Sequence, residues 1–218
     1  MAAISSPQDF KVRIVDRISE LAQETGGADF RMPIGLFLVL DEANGGNEIA
    51  GEVIRRFRFL DSESANVIDF YLAGWRRDPH GGPLVFNLDD FQSFRAALRA
   101  HGITAFGGNA DLLLFDACRK GGRVLLDFTQ VIQVRLDDKR VGEPGSFLQA
   151  LIGAAEAIRR ERTSQHAVYS ISDRLGLARA GESLLETILG KWGAFFGADR
   201  LSALAIKSAG PAVDLARL

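Results

Sequence analysis

Two apolar runs, Gly35 to Leu40 without polar alternation and Val67 to Leu72 with Asp69 as its one charged residue, each end abruptly in a glycine-containing polar turn. A strand written this way is covered on both faces, as in α/β sheets with helices above and below. The first run passes into Asp41-Glu-Ala-Asn-Gly-Gly-Asn47 and the second into Ala73-Gly-Trp-Arg-Arg77. In open α/β sheets ligands gather at the carboxyl ends of the strands, so these two turns mark a candidate binding edge.

The elements around these runs fit the same class. Ser6-Pro7 reads as an N-cap and first helical residue, with Phe10, Ile14, Ile18 and Leu21 on one helical face before Gly26-Gly27. Residues 48–60 carry a helical stripe of Ile49, Val53, Phe57 and Leu60, although Arg56 to Leu60 also alternates as a strand would; length and lack of breakers favour the helix. Arg76 to Phe86, with Pro79, Gly81, Gly82 and Pro83, reads as a loop. Asn87 caps a helix carrying Phe91, Phe94 and Leu98, with Asp89 and Asp90 in its first turn and His101 and Gly102 at its end.

Ala110 to Cys118, the turn Arg119-Lys-Gly-Gly122 and Arg123 to Leu136 then form an antiparallel hairpin on the sheet's edge. Its second strand gives the best period-two signal, placing Val124, Leu126, Phe128, Ile132, Val134 and Leu136 on one face. Ser146 caps a helix that ends in Arg159, Arg160 and Arg162, Thr163 to Gln165 is a short linker, and everything beyond reads helical: 172–180, 182–196 and 199–208. The expectation is an α/β fold with a mixed sheet, its buried parallel-type strands and antiparallel edge hairpin flanked by helices. Residues 1–162 form that domain, and 163–218 form a helical extension packed on it.

Composition narrows the function classes. A chain of 218 residues, 47% of them hydrophobic, buries roughly 70% of the surface its unfolded form exposes, enough for a real core. A net charge of −2 argues against a protein that coats nucleic acid. One cysteine, Cys118, rules out an internal disulfide and points to a reducing, cytoplasmic setting. No run approaches the roughly 20 apolar residues that cross a bilayer, so no membrane role is expected, and no secretory signal is apparent.

Four constellations could carry chemistry. In the first turn, Asn44, Gly45 and Gly46 let backbone N–H groups approach a ligand ahead of a helix N-terminus, but Asp41 and Glu42 oppose an anion and no phosphate-loop pattern is present. A plain solvated turn explains the same residues. In the second, Gly74, Trp75, Arg76 and Arg77 offer an indole face and guanidiniums to a small anionic, nucleotide-like ligand; equally, Trp75 can be a lid on the core.

Third, Asp111 and Asp127 on the hairpin resemble the acids of metal-dependent PD-(D/E)xK nucleases. Thr129 stands where the lysine belongs, which argues against an active enzyme. No nucleophile elbow, metal-ligand cluster or cofactor fingerprint occurs. His80, His101 and His166 are scattered, and Cys118 has no neighbouring histidine. No catalytic residue and no cofactor is therefore assigned. Fourth, Leu184, Leu185, Ile188, Leu189, Trp192, Phe195 and Phe196 form a broad apolar stripe suited to the core or to an interface.

The leading expectation is a non-catalytic cytoplasmic binding or adaptor module. It would take a small ligand at the strand ends and assemble, as a homo-oligomer or with a protein partner, through its late helices. The alternatives are a divergent metal-dependent enzyme using Asp111, Asp127 and Glu42 on nucleotides or nucleic acid, and a purely structural subunit.

Overall fold

The computed structural model describes residues 2–24, 26, 29–64, 67–78, 82–101, 109–136, 144–161, 167–175, 204–207 and 213–215. Their elements are, in chain order, β1 (Ala2–Ile4), α1 (Pro7–Glu24), β2 (Phe30–Val39), a 3-10 turn (Glu42–Asn44), α2 (Glu48–Glu63), β3 (Asp69–Ala73), β4 (Trp75–Arg77), β5 (Leu84–Phe86), α3 (Leu88–Ala100), β6 (Ala110–Lys120), β7 (Arg123–Arg135), α4 (Pro144–Glu161), α5 (Ala167–Arg174), β8 (Leu204–Lys207) and β9 (Val213–Asp214).

The main sheet runs β1-β3-β2-β6-β7-β8, with β9 also on β7. β1, β3 and β2 are mutually parallel, and β6, β7, β8 and β9 continue the sheet antiparallel. The mixed α/β sheet expected from the two apolar runs and the hairpin is therefore present. Helices cover both faces. On one, α2, α4 and α5 bury Val53, Leu148, Leu151, Val168 and Ile171 against Phe37, Phe70, Leu112 and Ile132. On the other, α1 and α3 bury Phe10, Ile14, Phe91 and Phe94 against Leu36, Tyr71, Leu113 and Phe115. β2 lies between both layers, which is why its sequence has no polar face. There Gly35 sits opposite Phe70 on β3, and a Cβ at Gly35 would fall inside that ring.

Several boundaries differ from the sequence reading for identifiable reasons. Residues 48–60 are helical, as length and lack of breakers favoured. The presumed loop after Trp75 is a two-stranded ribbon at both ends, because Trp75 and Phe86 pair across it and pack together at 5.2 Å between ring centroids. α4 starts at Pro144, ahead of Ser146, and α5 starts five residues before Ser172. Ala2–Ile4, too short to show a period, is a strand because Ile4 is buried beside β3. Leu204–Lys207, read as helix, adds a strand to β7 instead.

The hairpin carries the largest correction. From Leu114 to Asp116, β6 advances two residues, while its partners on β7 run from Ile132 to Asp127, a step of five. The three extra residues make a bulge that reverses the face of everything beyond it. Val124, Leu126 and Phe128 face α1 and α3, whereas Ile132, Val134 and Leu136 face α2, α4 and α5. They do not share one face.

Candidate functional site

At the carboxyl end of β2 the chain turns through residues whose polar groups satisfy one another. The Asp41 carboxylate accepts the backbone N–H of Asn44 at 3.0 Å and its side-chain amide at 2.6 Å. Gly45 takes φ 95°, and a Cβ at Gly46 would collide with the carbonyl oxygens of Leu40 and Asp41. Both glycines are thus required by backbone geometry. Asn47 then caps α2 by accepting the N–H of Ala50 at 3.0 Å. What the turn leaves facing water is Glu42, Ala43, Asn44 and Gly45.

At the carboxyl end of β3, Gly74 adopts φ 77° against Phe91. Trp75 follows with only 5% of its surface exposed, and its indole N–H donates to the Val39 carbonyl at 2.9 Å. That bond ties the two strand ends together and places both turns at one end of the sheet. It also fixes the ring inside the core, where it completes the layer over β2. Arg76 points outward and grips Asp90 of α3 through two parallel bonds of 2.7 and 2.9 Å, which raise its pKa. Arg77 is exposed beside it.

Asp41, Asn44, Gly45, Gly46, Gly74, Trp75 and Arg76 therefore belong to one end of the molecule. Asp111 and Asp127 do not come together. Asp111 pairs with Leu38 and Arg135 on the face of α1 and α3. Asp127 pairs with Asp116 five residues further along β6, on the opposite face and about 16 Å away at 3.3 Å per residue. They cannot share one metal ion, and among the described residues no group of three His, Cys, Asp or Glu side chains is arranged to hold one. The apolar stripe with Leu185, Ile188, Leu189, Trp192, Phe195 and Phe196 lies outside the described residues, as do His80 and His166.

A second polar cluster, not singled out by the sequence, lies near the hairpin turn. Arg31 of β2 bonds Asp127 at 2.6 Å and stands 3.7 Å from Asp116. Asp127 also accepts the N–H and hydroxyl of Thr129, at 3.1 and 2.5 Å. Burial alone would raise the Asp127 pKa, but the Thr129 and Arg31 hydrogen bonds outweigh it and hold the carboxyl below its ordinary range. The Asp116 carboxylate, 1% exposed, accepts the first two amides of α5, from Ala167 at 3.0 Å and Val168 at 3.3 Å. Cys118 lies two residues along the same strand face, and burial pushes its thiol pKa up. A reader of the sequence had one signal: Asp116 stands alone within the apolar run 112–118, and such an acid needs a buried partner.

No protein-family model matches this chain, and no curated protein or solved structure matches it either. No helix among the described residues is long and apolar enough to cross a membrane.

Proposed function

We propose that the protein is a non-catalytic binding module whose small, anionic, nucleotide-like ligand sits at the shared carboxyl end of β2 and β3. The observation that carries this reading is the indole bond from Trp75 to Val39, which brings the glycine turn and the paired arginines to the same edge. Exposed Asn44 offers the second N–H of its side-chain amide, the first being given to Asp41, and exposed Arg76 and Arg77 offer cations. The buried Trp75 serves this site as scaffold, so the ligand's ring is held by the polar edge of the site without indole stacking. The wide separation of Asp111 and Asp127 supports binding over metal-assisted hydrolysis. Assembly through the stripe 184–196 completes the adaptor reading, supported by the breadth of its apolar arc.

Calorimetric titration of the purified protein with AMP, ATP and inorganic phosphate tests the ligand. Saturable nucleotide binding is expected, weakened about tenfold by Arg76→Ala or Asn44→Ala. Absence of binding, or binding indifferent to both substitutions, would overturn the reading. Light scattering of wild type and of a Trp192→Glu/Phe196→Glu variant tests assembly. A larger wild-type species reduced by the folded variant is expected.

A further inference from the structure

α5 is a helix of eight residues, well below the length at which an isolated helix is stable in water. Its N-terminus is capped from outside: the first two amides bond to Asp116, a residue 51 positions earlier on β6. Only Val168, Ile171 and Ser172 of this helix are buried. Neighbouring α4 buries Leu148, Leu151, Ile152, Ala155 and Ile158. The carboxylate cap and the apolar seat on β2, β6, β7 and α4 support α5 only when it is docked. Folding of this helix and its docking are thus one event. Segments with few buried apolar groups and borrowed caps are those that open locally while the rest of a domain stays folded.

We propose that α5 is a detachable strap, seated on the Asp116 carboxylate, that lifts as a unit from an intact sheet and thereby gates the face beneath it. The seat persists without the strap, because Asp116 and Asp127 lie directly opposite each other on paired strands and Arg31 bridges them. Among the contacts that lifting exchanges for water are two charge-assisted amide bonds and two buried aliphatic side chains. It uncovers the ionic cluster and opens a path to Cys118, the single thiol of the chain, now 3% exposed.

Native-state hydrogen exchange of the full chain, read by peptide mass spectrometry, decides the matter. Amides of α5 should exchange through a local opening at least about 100-fold more frequent than the opening that exposes β2 and β6. Asp116→Asn should accelerate α5 exchange a further 10- to 100-fold, roughly the effect of weakened charged hydrogen bonds, and leave β2 and β6 protected. Trp75→Phe, which weakens the opposite end of the sheet, should speed exchange of β2 and β6 without changing α5. If α5 and β6 exchange at one common rate in wild type, there is no strap.

Thiol labelling of Cys118 supplies a readout that does not depend on the variant folding. Labelling in wild type at the α5 opening rate supports the gate. Labelling only at the rate of global unfolding overturns it.

Discussion

At the end of the sheet where β2 and β3 finish, Arg76 and Arg77 stand in water; toward the β6–β7 turn, Asp116 and Asp127 are buried around Arg31. Arg76 is 54% exposed and holds a single carboxylate, whereas Asp127 is 5% exposed and bonds Arg31 and Thr129 together. The difference shows which polar groups the fold itself requires. A buried carboxylate without donors would cost several kcal/mol, so the bonds that Arg31 and Thr129 give Asp127 contribute to the stability of the sheet itself. An exposed guanidinium is stable with or without its partner, because water screens it. The fold does not depend on the charges exposed at the strand ends, and it is on these that the proposed ligand site draws.

The sharpest way to break that contrast is Asp127→Ala. Removing the carboxylate strips Arg31 of its 2.6 Å partner and leaves Thr129 without its acceptor. A loss of about 2–3 kcal/mol in urea unfolding is expected. A loss under about 0.5 kcal/mol would mean the cluster is as dispensable as a surface pair.

Trp75→Phe should follow, because at the strand end this residue alone behaves like the hairpin cluster. Loss of the indole donor leaves the buried Val39 carbonyl without that bond, at a cost of about 1–2 kcal/mol. Thermal denaturation of a variant that keeps its far-ultraviolet spectrum would measure it. No change would show that water replaces the indole and that the strand end is open there.

A pH titration probes the contrast without changing size. The folded-state pKa of Asp127 is depressed, so its contribution is fully present above the unfolded carboxylate value of about 4. That contribution disappears as pH falls through the lower folded value. Asp127→Asn should therefore be less stable than wild type at pH 7, with the gap closing below about pH 4. A gap that stays constant from pH 7 to pH 2 would show that charge plays no part.

The sequence made the two regions unequally legible. Gly35 to Leu40 and Val67 to Leu72 were readable as doubly covered strands because burial on both faces leaves Asp69, which pairs with Arg17 where β3 begins, as the one charged residue in either run. The capping roles of Ser6 and Asn87 were readable because they depend only on neighbours three residues away. The reversal of faces along β7 was not, since the residues on either side of the bulge keep a spacing that an unbroken strand would also show. The role of Asp116 was hidden for another reason: its donors come from β2 and α5, and no local pattern announces contacts across 51 or more positions. At the candidate site the glycines and asparagines were legible as turn formers, but the burial of Trp75 depended on Phe86 and Val39 closing around it.

The smallest expected effect on stability is at Arg76. Its guanidinium faces water and its ion pair with Asp90 joins β4 to α3 at the surface, where screening and side-chain entropy offset most of the attraction. Arg76→Ala should leave the unfolding midpoint unchanged within error, and raising the salt concentration should affect wild type and variant alike. A nucleotide bound at the strand ends would instead compete with Asp90 for the guanidinium, so Asp90→Asn should tighten binding while Arg76→Ala weakens it. Opposite signs from two ends of one surface pair are not produced by a purely structural bridge, which would lose stability through either substitution and change no affinity. If Arg76→Ala destabilises the fold as strongly as Asp127→Ala, the strand end is built like the hairpin end, and its charges were never free for a ligand.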